Sequence, residues 1–184
     1  MKAASVIQCI LVVLGVLIGG AYLRCFIKRI LCMAAIRRVC RRGGFAVKVP
    51  FLWFLGSRYA TRCDCVIDTP QALFAVKLFG CLWPLKSLIF REYGDYFFRA
   101  HANFLSFLLD PLDNTRHPLP EYRFPQAEGK AVRPVLLINP MPVEILLQPC
   151  SGMESTLGPG DQLFGMELAS ISHLTRIVEN AGQP

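Results

Sequence analysis

Acidic residues are absent from about the first third of this chain. The first is Asp64, and eleven Lys and Arg residues precede it. The whole chain has twenty basic and thirteen acidic residues, so residues 64–184 hold nine basic and all thirteen acidic groups, a net charge of −4. Binding to a phosphate backbone usually leaves a basic footprint on the binding domain. This distribution therefore argues against a nucleic-acid partner, although the chain as a whole carries +7.

Several patterns typical of well-known sites are also absent. The eight cysteines form no Cys-x-x-Cys pair, and the three histidines show no metal-ligand spacing. The chain contains neither a Gly-x-Ser-x-Gly elbow nor a Gly-rich phosphate loop followed by Lys-Ser or Lys-Thr. Because the cysteines are scattered over unlike segments, we expect reduced, mostly buried thiols and not a disulfide framework.

An uncharged run of 21 residues extends from Ala3 to Leu23. At the helical rise of about 1.5 Å per residue, such a run matches a bilayer core of about 30 Å. The pattern predicts a transmembrane anchor over residues 1–23. A cleaved secretory signal is the alternative interpretation, with Lys2 as its charged region and Gly19-Gly20-Ala21 as the small residues before the cut.

Basic residues follow this run closely, within a helical pattern over residues 24–44 that ends at Gly43-Gly44. They are Arg24, Lys28, Arg29, Arg37, Arg38, Arg41 and Arg42. The positive-inside rule then predicts a single-pass protein with its N terminus outside and its C-terminal domain in the cytoplasm. These membrane-proximal cations are expected to set the topology, which requires no specific lipid; binding to anionic headgroups of the lipid bilayer is the functional alternative. An extracytoplasmic domain is the alternative topology.

The remaining residues 45–184 are enough for one domain. An apolar fraction of 53% with thirteen Phe excludes intrinsic disorder. The pattern predicts a hairpin, a second strand pair, a helix, two buried strands and a final helix, over residues 62–79, 86–99, 100–112, 132–139, 143–148 and 168–178. Residues 112–130 and 151–160 are predicted loops. The expected fold is α/β: a transmembrane helix followed by a small mixed-sheet domain flanked by helices.

The segment from Cys63 to Gly80 resembles the core of the nuclease-related domain of the restriction-endonuclease-like superfamily. Its sequence is Cys-Asp-Cys-Val-Ile-Asp-Thr-Pro-Gln-Ala-Leu-Phe-Ala-Val-Lys-Leu-Phe-Gly. In that family an Asp on one strand precedes a turn, and the next strand carries Glu-x-Lys. The resemblance implies that the two carboxylates hold a divalent metal while the Lys helps to activate the attacking water.

The chain departs from this pattern at one position. Asp64 and Lys77 match the Asp and the Lys, but Ala75 stands where the Glu belongs; shifting the register by two residues places Lys77 and Phe79 at the Glu and Lys positions. A carboxylate from elsewhere, such as Glu92, is the remaining way to complete a metal site. We therefore predict a pseudoenzyme: a membrane-anchored cytoplasmic binding or scaffolding module, with no metal, whose partners are the bilayer and another protein. The alternative is a membrane-tethered nuclease that uses Mg²⁺, with Asp64 and Lys77 as catalytic residues.

Overall fold

The structure is a computed structural model that describes residues 2–50, 62–80, 87–93, 96–101, 116–118, 123–125, 129–149 and 152–182. Within these ranges it describes the backbone but not the side chains of residues 2–6, 17, 18, 21, 22, 24, 25, 80, 92, 93, 96–101 and 116–118. The side chains of Arg24 and Glu92 therefore lie outside the described set, and so does nearly all of the helix predicted over residues 100–112.

The described residues form two helices and two β-sheets. The helices are α1 (Lys2–Gly43) and α2 (Ile171–Asn180). The strands are β1 (Ala46–Lys48), β2 (Cys65–Asp68), β3 (Ala72–Gly80), β4 (Ser87–Tyr93), β5 (Tyr96–His101), β6 (Arg116–Pro118), β7 (Ala131–Asn139), β8 (Glu144–Gln148), β9 (Ser155–Leu157), β10 (Gln162–Leu163) and β11 (Met166–Ala169). The first sheet has the order β1-β2-β3-β7-β11-β10 and the second the order β6-β5-β4-β8-β9.

The predicted hairpin is confirmed as the antiparallel pair β2 and β3, with Cys65 opposite Val76 and Asp68 opposite Leu73. Its turn is held by Thr69, whose hydroxyl donates to the Ala72 carbonyl over 2.7 Å and accepts from the Ala72 amide over 3.1 Å. The second predicted pair is confirmed as antiparallel β4 and β5. Local turn chemistry therefore fixes the first pair.

Strand β7 lies between β3 and β11 and runs parallel to both. Its apolar side chains alternate between two hydrophobic clusters, as the two-residue period of a strand requires. Val135 and Leu137 join the cluster that α1 and α2 cover, whereas Leu136 and Ile138 join the cluster that contacts β4 and β8 of the second sheet. The first sheet is therefore covered by helices on one face and by the second sheet on the other.

The second half of α1 belongs to this core. Cys32, Met33, Ile36 and Cys40 are each no more than 3% exposed and pack in the same cluster as residues of α2. The helix ends as predicted at the glycine pair, where Gly44 has a φ of 71° and the Phe45 amide donates to the Cys40 carbonyl over 2.8 Å. The described core thus includes residues on both sides of position 44.

No helix in the part of the chain that the structure describes is both long enough and apolar enough to cross a membrane. Helix α1 does not end after the apolar run but continues through the basic segment into the core. The predicted transmembrane anchor is wrong, and so are the single-pass, N-out, cytoplasmic topology and the positive-inside assignment that depended on it.

The prediction of a single mixed sheet is also wrong, because the strands form two stacked sheets in a mixed α/β structure. Two of the predicted loops contain strands, β6 and β9. The last helix begins three residues later than predicted. Leu168 lies in β11, and Ser170 caps the helix by accepting a hydrogen bond from the His173 amide over 3.2 Å.

Candidate functional site

Asp64 lies immediately before β2, where the hairpin pairing places it next to Lys77. It is 3% exposed. The Asp64 amide donates to the Val76 carbonyl over 2.8 Å, and its Oδ2 accepts from the Leu78 amide, also over 2.8 Å. The backbone of β3 therefore holds this carboxylate in position.

Lys77 is fully buried on β3. Its Nζ lies 3.5 Å from Asp64 Oδ2 and donates to the Arg62 carbonyl over 3.1 Å. Burial lowers the pKa of Lys77 below its usual value, while the neighbouring Asp64 carboxylate opposes that shift by favouring the ammonium form. The structure therefore brings together the two residues that match the Asp and Lys of the family pattern, Asp64 and Lys77.

Arg29 supplies the third charge, which sequence reasoning assigned to the lipid-facing basic group. Its Nη2 donates to Asp64 Oδ1, and its side chain is only 12% exposed. The sequence did contain a signal, because Arg29 precedes Cys32, Met33, Ile36 and Cys40 by three, four, seven and eleven residues. That spacing places Arg29 on the buried face of the helix. One carboxylate thus joins α1 to the hairpin.

The contacts of Asp64 within the Arg29–Asp64–Lys77 network argue against a metal site. Both Asp64 oxygens accept from the chain's own donors, and the fully buried Ala75 occupies the position of the missing carboxylate. Among the side chains that the structure describes, no group of three His, Cys, Asp or Glu could hold a metal ion. A hard divalent cation requires several oxygen ligands, and here Asp64 is already neutralised by a guanidinium.

Three thiols near this network, those of Cys32, Cys40 and Cys65, are buried. Burial raises the pKa of Cys32 and of Cys40 to about 11, and it raises the pKa of Cys65 well above its usual value. Because the thiolate is the nucleophile, these groups are protonated at neutral pH and do not support covalent catalysis. The expected reduced, buried thiols are confirmed for these three residues.

Four other residues of the predicted basic group are exposed on α1. Arg37, Arg38, Arg41 and Arg42 are exposed on the side of α1 away from the sheet, and Lys28 is half-buried. Among the described side chains, the predicted basic group thus contains one core residue, Arg29, and four exposed arginines.

A second polar cluster, which sequence reasoning missed, lies where β11 meets α2. Glu167 accepts from Arg133 Nη2 over 2.8 Å and contacts His173 Nε2 at 2.9 Å. The other ring nitrogen of His173 lies 3.1 Å from Arg176 Nη2. Every polar atom of the His173 ring is thus engaged by a charged side chain. The only signal was the Glu-x₅-His spacing across a strand and a helix, which is not distinctive.

The stability of the protein should depend on Glu167 at acidic pH. Burial acts to raise the pKa of Glu167, but the hydrogen bonds from His173 and Arg133 outweigh it and lower that pKa below its ordinary value of 4.5. The stabilisation is therefore present above pH 4.5 and is lost as the pH falls through the folded-state pKa. We expect Glu167→Gln to lower the free energy of unfolding by about 1 kcal/mol at pH 7 and to flatten its acid dependence.

Urea unfolding at a series of pH values measures this effect. Glu144→Gln, at an exposed position of β8, is the matched control and should retain the wild-type slope. An unchanged acid slope in Glu167→Gln would contradict the assigned role of the cluster.

No protein family, curated protein or solved structure was found to match this chain. The resemblance to the nuclease-related domain accordingly depends on residues 63–80 alone.

Proposed function

We propose that this chain is a non-catalytic binding or scaffolding module in which the Arg29–Asp64–Lys77 network is structural. One observation carries the proposal: each oxygen of Asp64 is held by donors of the chain itself. A metal could reach this carboxylate only by displacing Arg29 from a buried ion pair. Lys77 is fully buried and bonded to a backbone carbonyl, so no path for an attacking water to its ammonium is evident among the described residues.

The binding part of the proposal is supported by the outer surface of α1. Large apolar side chains are between 39% and 69% exposed along this helix, from Ile7 to Leu31. Soluble monomers rarely expose contiguous apolar surface of this extent, and such surfaces mark interaction sites. The helix is also fixed to the core through Arg29 and its buried face, so a ligand bound to α1 would be held by the folded domain.

A metal-dependent nuclease is the second candidate, favoured by the contact between Asp64 and Lys77 across the hairpin. It would bind Mg²⁺ through Asp64 and a carboxylate outside the described residues. A DNA-cleavage assay distinguishes the two proposals.

The full-length chain should show no cleavage of plasmid or single-stranded DNA with Mg²⁺ or Mn²⁺ above that of a Lys77→Met variant. Methionine fills similar volume and leaves the Arg29–Asp64 pair in place, so the variant should remain folded. Lys130→Met is the control, because Lys130 pairs with Asp68 on the same hairpin at a partly exposed site. Metal-dependent cleavage that Lys77→Met abolishes and Lys130→Met retains would overturn the non-catalytic proposal.

A further inference from the structure

The outward side of α1 combines two kinds of exposed side chain. At 3.6 residues per turn, one helix side carries an apolar strip and, about two turns further on, a basic cluster. The apolar strip consists of Ile27, Ile30 and Leu31, which are 46%, 41% and 62% exposed. The basic cluster consists of Arg37, Arg38, Arg41 and Arg42, all exposed.

No residue in the part of the chain that the structure describes covers this side of α1. Cys32, Met33, Ile36 and Cys40 project in the opposite direction into the core. The helix provides no counter-charge for its arginines, because no acidic residue precedes Asp64. The apolar strip and the basic cluster therefore lie on the same side of α1, within about 20 Å along the helix from Ile27 to Arg41.

We propose that the outward side of α1 binds an anionic lipid surface. The apolar strip contacts acyl chains, and the basic cluster contacts the phosphate groups at the level of the headgroups. The helix binds the surface in this proposal without crossing it. The inference rests on the proposed binding function and names its partner.

Charge complementarity selects this partner over the others. An acidic peptide would use the basic cluster and leave the apolar strip in water, whereas an apolar protein surface would leave four arginines unneutralised. A second copy of the chain would bring another basic cluster of the same sign. An anionic lipid surface supplies both negative charge and apolar contact, the two kinds of contact that this side of α1 can make.

Vesicle flotation of the full-length protein tests this proposal. The probes are vesicles of phosphatidylcholine alone and of phosphatidylcholine with phosphatidylglycerol. We expect binding to the anionic vesicles that weakens as salt is added. Each Arg near an anionic surface strengthens binding about fivefold, so Arg37→Gln with Arg38→Gln should weaken it about 25-fold.

Two further double variants test the apolar contribution to vesicle binding and the effect of removing charge outside α1. Ile30→Asn with Leu31→Asn should weaken binding to both kinds of vesicle, because these exposed side chains supply the acyl contact. Lys48→Gln with Arg176→Gln removes the same charge from exposed positions outside α1 and should bind as the wild type does. Circular dichroism checks that each variant is folded.

The absence of vesicle binding, equal binding to both lipid compositions, or equal loss in the Lys48 and Arg176 control would overturn the lipid proposal. A defined dimer that floats with neither vesicle, measured by light scattering, would show that a second copy covers α1 and would also overturn it. None of these outcomes alters the DNA-cleavage assay, so failure of the lipid proposal can be distinguished from failure of the non-catalytic proposal.

Discussion

Replacing Asp64 with alanine is expected to lower the free energy of unfolding by about 3–5 kcal/mol, a large part of the stability of a typical domain. The expected loss of stability is large because positive charge remains buried after the substitution. Asp64 is the carboxylate that neutralises both Arg29, 12% exposed, and Lys77, 1% exposed, and its removal leaves two cations in a buried environment. The Leu78 amide also loses its acceptor.

Urea unfolding of the full-length protein, followed by far-ultraviolet circular dichroism, measures this loss. Asp68→Ala is the matched control: it also removes a lysine-paired aspartate from the hairpin, but Asp68 and Lys130 are 31% and 35% exposed. Exposed ion pairs contribute about 0–1 kcal/mol, so the control should remain close to the wild type. Similar losses in the two variants would show that the Arg29–Asp64–Lys77 network is not a buried structural element.

Phe90→Ala is the second large expected effect, again about 3–5 kcal/mol, because it deletes a buried aromatic ring and leaves a cavity. Phe90 is fully buried on β4 and lies where the two sheets pack together. Its ring centroid is 6.0 Å from that of Phe79 on β3 and 5.7 Å from that of Phe164, in tilted and edge-to-face arrangements. The substitution therefore weakens the contact between the sheets.

Urea unfolding also measures the loss in Phe90→Ala, with Met153→Ala as the control variant. Met153 is 92% exposed, and surface substitutions of this kind usually change the stability by less than about 0.5 kcal/mol. A loss below about 1 kcal/mol in Phe90→Ala would mean that the second sheet does not pack against the first as described.

The sequence predicted the parts of this fold that depend on local chemistry. Thr69 and Pro70 mark the turn of the first hairpin, and the Gly pair marks the end of α1. The stacking of two sheets is different, because β3 and β4 are neighbours in the sequence but lie in separate sheets, while β3 pairs with β7 more than fifty residues later. Pairing over such a distance is decided by tertiary packing, for which a local pattern contains no signal.

The site shows the same division. The Asp64 and Lys77 contact follows from the register of the hairpin, whose two strands were predicted. The role of Arg29 was missed because its position among other cations favoured a common interpretation for all of them. Its spacing to Cys32 and Ile36 distinguishes it, and that spacing is visible in the sequence. The Glu167 and His173 contact depends on how α2 follows β11, which residue type alone does not indicate.

The central position of β7 and the joint packing of α1 and α2 have a consequence for the order in which the chain folds. The buried face of α1 packs with Leu174 and Val178, about 140 residues further along the sequence. During synthesis, α1 emerges early and must wait for β7, β11 and α2 before its thiols and apolar side chains are covered. Contacts of such long separation slow folding and prolong the exposure of apolar surface, when association with other chains competes with the native pairing. The feature that makes α1 part of one core therefore also leaves its apolar face exposed in the nascent chain until α2 has been made.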